Sequence, residues 1–142
     1  YRDNEDYYSQ VNYRLIRYAD ILLRYAEVLN ETGNTAGAYQ YVDLVRARVN
    51  MGTLAAAHPE IGTDKAKFLE QLKMERVLEL AGESVRWEDL KRWGDLETQV
   101  AVDKIALRDP DFKNFVVGKN QRLPIPQVEV DNNPNLSQHP EY

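Results

Sequence analysis

Apolar residues recur at every third or fourth position from Tyr13 onward, and that spacing predicts a run of helices. Leu15, Tyr18, Ala19, Leu22, Tyr25, Ala26 and Leu29 form one wide stripe, with Arg17, Asp20, Arg24, Glu27 and Glu31 on the opposite face. Asp20 and Arg24 are placed to pair one turn apart, and Gly33 sits where a left-handed residue would end the helix. Thr35 is the expected N-cap of a second helix reaching about Asn50, whose stripe is Ala38, Tyr41, Val42, Val45 and Val49, with Arg46 and Arg48 beyond it. So short a turn makes the pair an antiparallel hairpin. Residues 51–63 lose the periodicity around Gly52, Pro59 and Gly62 and read as a loop with room for one helical turn.

Asp64 is the expected cap of a third helix, with Met74, Val77, Leu78 and Ala81 on one face and Leu69, Leu72 and Leu80 widening it. Gly82 ends that helix, and a fourth is predicted from Ser84 to about Val100. Residues 74–94 (MERVLELAGESVRWEDLKRWG) thus become a corner between two helices, holding both tryptophans, Trp87 and Trp93. The cations Arg76, Arg86, Lys91 and Arg92 interleave there with Glu75, Glu79, Glu83, Glu88 and Asp89. Glu83 with Arg86, and Asp89 with Arg92, are three apart, so an ion-pair network partly covered by packed rings is expected. Beyond Asp103 the helical signal fades: Asp109-Pro110-Asp111 reads as a turn, residues 112–117 as extended or loop, and Gly118 as a further break. Pro124, Pro126, Pro134 and Pro140 predict an extended tail wrapping the helices.

The fold class is therefore all-α. Two antiparallel helical hairpins, tetratricopeptide-like, precede an irregular proline-rich C-terminal tail, in a single domain over residues 1–142. Within it residues 1–12 are a polar lead-in, 13–100 the helices, and 101–142 the loops and tail. The hairpins start about 50 residues apart, longer than the ~34 of a tetratricopeptide repeat, so periodicity adds little to that likeness.

Composition narrows the function. With 43% hydrophobic and 29% charged residues the chain is an ordinary globular one. A net charge of -5 and an isoelectric point near 5.1 argue against nucleic acid as a partner, since phosphate binding needs a basic face. The absence of cysteine excludes disulfides, a thiol nucleophile and a thiolate metal site. No apolar run approaches the ~20 residues of a membrane-spanning helix. The polar, acidic start without methionine reads as a piece of a longer or processed protein.

No template for chemistry is satisfied. Nucleotide-cradling glycine motifs are absent. Gly82-Glu83-Ser84-Val85-Arg86 is one glycine short of a nucleophile elbow, and Ser84 reads as a helix cap. His58 and His139 belong to no metal-binding pattern. Asp131-Asn132-Asn133 lacks the rest of a calcium loop and reads as a turn bonded to its own backbone. Glu83 with Glu88 or Asp89 could be cast as a glycosidase pair, but acids so interleaved with arginine are expected to be ion-paired. Trp87 and Trp93 could be platforms for sugar rings, but at helical spacing with Leu90 they are expected in the core. Asn30-Glu31-Thr32 and Asn135-Leu136-Ser137 match the glycosylation triplet by chance. No catalytic, cofactor-binding or metal residue is assigned, and no cofactor is expected.

The motifs together resemble one family. YRLIRYAD (13–20), LLRYAEVLNETG (22–33), VDLVRARVN (42–50), residues 74–94 and LPIPQVEVDNNPNLSQHPEY (123–142) are similar, in order, to the C-terminal part of SusD/RagB proteins. That resemblance implies a helical, tetratricopeptide-like, non-enzymatic protein, lipid-anchored at the outer-membrane surface. Such a protein binds glycans or other nutrients as the lid of a SusC-like TonB-dependent transporter. The membrane would be reached only through a lipid anchor that these residues do not contain, and nutrient contacts would lie mainly in an upstream portion. The glycan-binding residues are therefore unknown. Glu75, Arg76, Arg86, Trp87, Asp89, Arg92 and Trp93 are expected to be scaffold, with Arg76 and Arg86 held by Glu79, Glu83 or Asp89. If a further portion covers a helix face, these residues alone should expose apolar surface. The alternative reading is a tetratricopeptide-like adaptor binding a protein or peptide.

Overall fold

The structure, a computed structural model, describes residues 15–142; the lead-in and the expected helix start at Tyr13 lie outside the described residues, apart from Leu15 onward. Helices account for every regular element among the described residues, so the chain is all-α. Two compact units divide at Glu83 and Ser84.

The first unit carries α1 (Tyr18–Glu31), α2 (Thr35–Arg48), the single turn α3 (Leu54–Ala57) and α4 (Lys65–Glu79). Helix α1 starts five residues later than the apolar spacing suggests. Arg17, its N-cap, is extended and directs its guanidinium to Glu79 and Glu83, so Leu15 is exposed rather than part of a buried stripe. Gly33, at φ +88°, closes α1: its N–H donates to Asn30 O and that of Asn34 to Leu29 O, the paired bonds of a Schellman motif. Asn34 rather than Thr35 caps α2, accepting from Gly37 N at 3.0 Å. Thr35 lies one position inside, buried, and its hydroxyl donates to Asn30 Oδ1 at 2.8 Å.

Helices α1 and α2 form the hairpin, and α4 packs on both. Their core joins Leu22, Leu23, Ala26, Ala38, Val42 and Val45 to Leu54, Ile61, Phe68 and Leu72. Asp64 caps α4 as expected, accepting from Ala66 N and Lys67 N. The face that α4 buries differs from the expected one. Phe68, Leu72, Glu75 and Arg76 are inside, whereas Leu78 is 67% exposed and Ala81 lies outside. Charged residues occupy the inner face because partners on α1 and α2 meet them there.

The second unit holds α5 (Arg86–Arg92), α6 (Gln99–Ala106), a 3-10 helix (Pro110–Asn114) and α7 (Gln127–Asn132). The expected helix from Ser84 to Val100 is therefore broken. Gly94, at φ +72°, donates to Lys91 O while Asp95 N donates to Leu90 O, a second Schellman motif that stops α5 after two turns. Thr98 then caps α6 through Ala101 N. Leu90, Leu96 and Val102 form the core, packed by Ile105, Phe112, Phe115 and Val117. The tail includes the short helix α7 instead of being extended throughout. Gln138 ties it down by accepting from Ile125 N and donating to Ile125 O.

Candidate functional site

Glu75 and Glu79 lie one turn apart on α4, and each meets an arginine of α2. Glu75 Oε1 is 2.6 Å from Arg46 Nη1 and also accepts from Gln71 Nε2 at 3.0 Å. Both members of that pair are buried, with side chains 6% and 8% exposed. Arg46 Nε donates to Gly52 O at 2.7 Å, so the same guanidinium fixes the start of the loop after α2. Asp43 accepts from Leu54 N at 2.7 Å and holds the loop's other end.

Glu79 is gripped from two sides. Arg17 Nη1 reaches Oε1 at 2.9 Å and Arg48 Nη2 reaches Oε2 at 2.8 Å. Arg17 Nη2 also donates to Glu79 O, while its Nε donates to Glu83 Oε2 at 2.8 Å and its Nη2 lies in an ion-pair contact 2.7 Å from Glu83 Oε1. Burial would raise the pKa of the Glu79 carboxyl, but the bonds and charges of Arg48 and Arg17 outweigh it and hold it below the ordinary 4.5. The same bonds raise Arg17, led by its hydrogen bond to Glu83. Arg76, wholly buried, sets Nη1 2.8 Å from Asp20 Oδ1; the contact is ionic and not lined up as a hydrogen bond. Asp20 pairs also with Arg24 at 3.0 Å, as the one-turn spacing indicated. Burial again pushes upward, yet the Arg24 and Arg76 guanidinium groups leave Asp20 below its ordinary 3.8.

The expected network thus exists with other partners. Arg76 meets Asp20 on α1, while Glu79 and Glu83 are taken by Arg17 and Arg48. Spacing along the chain could not show these contacts, whose members are 31 to 66 residues apart for Glu79 and Glu83. Arg46 was readable in part: it follows Val42 by four positions, on the face that the second helix buries.

Within the second unit Asp89, nearly buried, accepts from Arg92 Nε at 2.9 Å, as its spacing indicated. Arg86 lies in the field of Asp95, Asp89 and Asp109, though burial prevails and lowers its pKa. Neither tryptophan belongs to the core. Trp93 is half-buried, with the Arg92 guanidinium 4.6 Å over its ring. Trp87, 38% exposed, borders a surface concavity of about 370 Å³ with Ser84, Arg86, Leu90 and Phe112. Its ring is 6.1 Å from that of Phe115. Ser84 is not the helix cap: it takes φ +61°, and Val85 stands at the cap position.

No proton-transfer pair is assembled from the acids singled out. Glu83 is bound by Arg17, Asp89 by Arg92, and Glu88 is exposed beside Lys91 at 3.8 Å. A general acid needs a raised carboxyl pKa; Asp20, Glu60 and Glu79 are all moved down. His58 lies by Glu60 at 3.1 Å, beside a smaller concavity of about 230 Å³ that Tyr39 and Gly62 also line. His139 receives Arg122 at 2.8 Å. Among the described residues no group of three or more His, Cys, Asp or Glu side chains could hold a metal. Asn30 is fully buried, donating to Lys65 O, which removes it as a glycosylation acceptor. The expected turn at 131–133 is instead the end of α7: Asp131 and Asn132 are helical, Asp131 accepting from Gln127 Nε2, and Asn133, the C-cap, accepts from Asn135 N.

A family profile described as the SusD family matches residues 2–142. The chain belongs to the SusD family. Among curated relatives of this family, SusD-like protein P25 of Formosa agariphila is 34% identical over 140 residues, 94% of this chain and 25% of the relative. SusD-like protein P2 of the same organism is 34% identical over 133 residues, 90% of this chain and 25% of the relative. SusD-like protein P38 is 41% identical over 91 residues, 59% of this chain and 17% of the relative. This SusD-family chain therefore spans about a quarter of the length of P25 and P2. No solved structure matches it significantly. Among the described residues no helix is long and apolar enough to cross a membrane.

Proposed function

We propose that these residues are the C-terminal scaffold of a SusD-like glycan- or nutrient-binding lipoprotein at the cell surface, working with a SusC-like TonB-dependent transporter in the outer membrane. Membership of the SusD family along nearly the whole chain is the observation that carries this reading. The pairing of Glu79 with two arginines supports a role in binding rather than catalysis, because a carboxylate held ionised by guanidinium groups is a poor proton donor. Nutrient contacts are assigned to the larger remainder of the polypeptide, and no glycan-binding residue is assigned here.

The test uses the full-length polypeptide and a panel of glycans, with calorimetry for binding and chromatography for products. Binding without shortened products, together with co-purification of a β-barrel transporter, is the expected result. Release of shortened glycans that stops on Glu83→Gln would replace the reading with an enzymatic one.

A further inference from the structure

Residues 119–142 fold back on themselves, with α7 inside the loop, and side chains close it in two places. At the inner closure the Gln138 amide accepts from Ile125 N at 3.0 Å and donates to Ile125 O at 2.8 Å. At the outer closure the Tyr142 hydroxyl lies 2.8 Å from Arg122 O and 3.3 Å from Lys119 O, as donor to both. Lys119 Nζ sits 4.7 Å over the Tyr142 ring. His139 falls between the two closures in sequence. Its ring meets that of Tyr142 edge-on at 6.3 Å, and its Nε2 is 2.8 Å from Arg122 Nη1.

This geometry suits one protonation state of the ring. A guanidinium nitrogen is always a donor, so Nε2 must accept, and the neutral ring then carries its proton on Nδ1. Glu141 N faces Nδ1 at 3.4 Å, so each ring nitrogen has a donor against it and only the nearer contact is satisfied. The charged ring has an N–H on both nitrogens. Nε2–H would then point at the Arg122 N–H across 2.8 Å, a like charge behind each, while Lys119 adds a positive charge beside Tyr142. Gln138 Oε1 offers no relief, because it already accepts from Ile125 N and His139 N.

We propose that His139 is a proton-operated catch on this tail. Neutral, it accepts from Arg122 and holds residues 139–142 against 119–122; protonated, it lets them go. Histidine is the side chain that changes charge between about pH 5 and 8, so the outer closure is shut near pH 8 and open near pH 5. The Gln138–Ile125 closure has no titratable group, which confines the release to residues 139–142.

Hydrogen exchange of the full-length polypeptide, read by mass spectrometry from pH 8 to pH 5 and corrected for the intrinsic rate at each pH, tests the catch. Protection of the 139–142 amides is expected to fall at least about tenfold across that range, with helix α1 unchanged. In His139→Gln, which cannot titrate, the fall should vanish, whether its amide keeps the tail shut or leaves it open. In Arg122→Gln, which removes the opposing charge, the fall should shrink. Equal protection at both ends of the range in the unsubstituted protein would overturn the proposal. So would an undiminished fall in either variant, which would assign the response to other groups.

Discussion

Glu79 shows how single residues are set in this chain. Its carboxylate is buried, which alone would favour the neutral form, yet two arginines from different elements keep it ionised. A carboxyl whose folded pKa is depressed contributes stability that is complete above its unfolded value. That contribution is lost as pH falls through the folded value. Glu79 and Asp20 are both of this kind, with ordinary values of 4.5 and 3.8. Unfolding free energies from urea titrations should therefore be level above about pH 5 and fall steadily below pH 4. Glu79→Gln, unable to titrate, should be less stable at pH 6 and show a shallower acid decline. An acid limb equally steep in the variant would remove Glu79 from this role.

At the scale of elements, helix ends were read well where a glycine followed a lone apolar stripe and poorly where apolar spacing ran past one. Gly33 stood after the last stripe residue and marked the end of α1. Gly94 followed Trp87, Leu90 and Trp93, whose helical spacing pointed onward to Val100, so the stop was hidden. The inner face of α4 was misread for a related reason. Apolar spacing puts Leu78 inside, where the structure leaves it exposed, and the partner expected for the buried Arg76 within the corner is replaced by Asp20 on α1. Hydrophobic pattern finds which segments are helical; it cannot find a charge whose partner is tens of residues away. Gly33 and Gly94 adopt φ values costly for any residue with a Cβ, and neither site is sterically crowded. Gly33→Ala and Gly94→Ala should each lower stability by about 1–2 kcal/mol through backbone strain alone. Thermal melts that match the unsubstituted chain would show that the helix ends relax without cost.

For the molecule as a whole, family membership and the helical class were both legible, because ordered motifs along the chain carry more information than any one of them. Partners inside the acid-base web and the exposure of Trp87 were not, since each depends on where distant segments meet. The buried charges of the first unit brace its helices against one another. Breaking a buried pair leaves one charge stranded and typically costs about 3–5 kcal/mol. The urea unfolding midpoint at pH 7, compared among the unsubstituted chain, Arg46→Ala and Arg86→Ala, tests this most directly. Arg46→Ala strands Glu75 and should lower the midpoint sharply, whereas the more exposed Arg86→Ala should lower it far less. An unchanged midpoint in Arg46→Ala would contradict the brace.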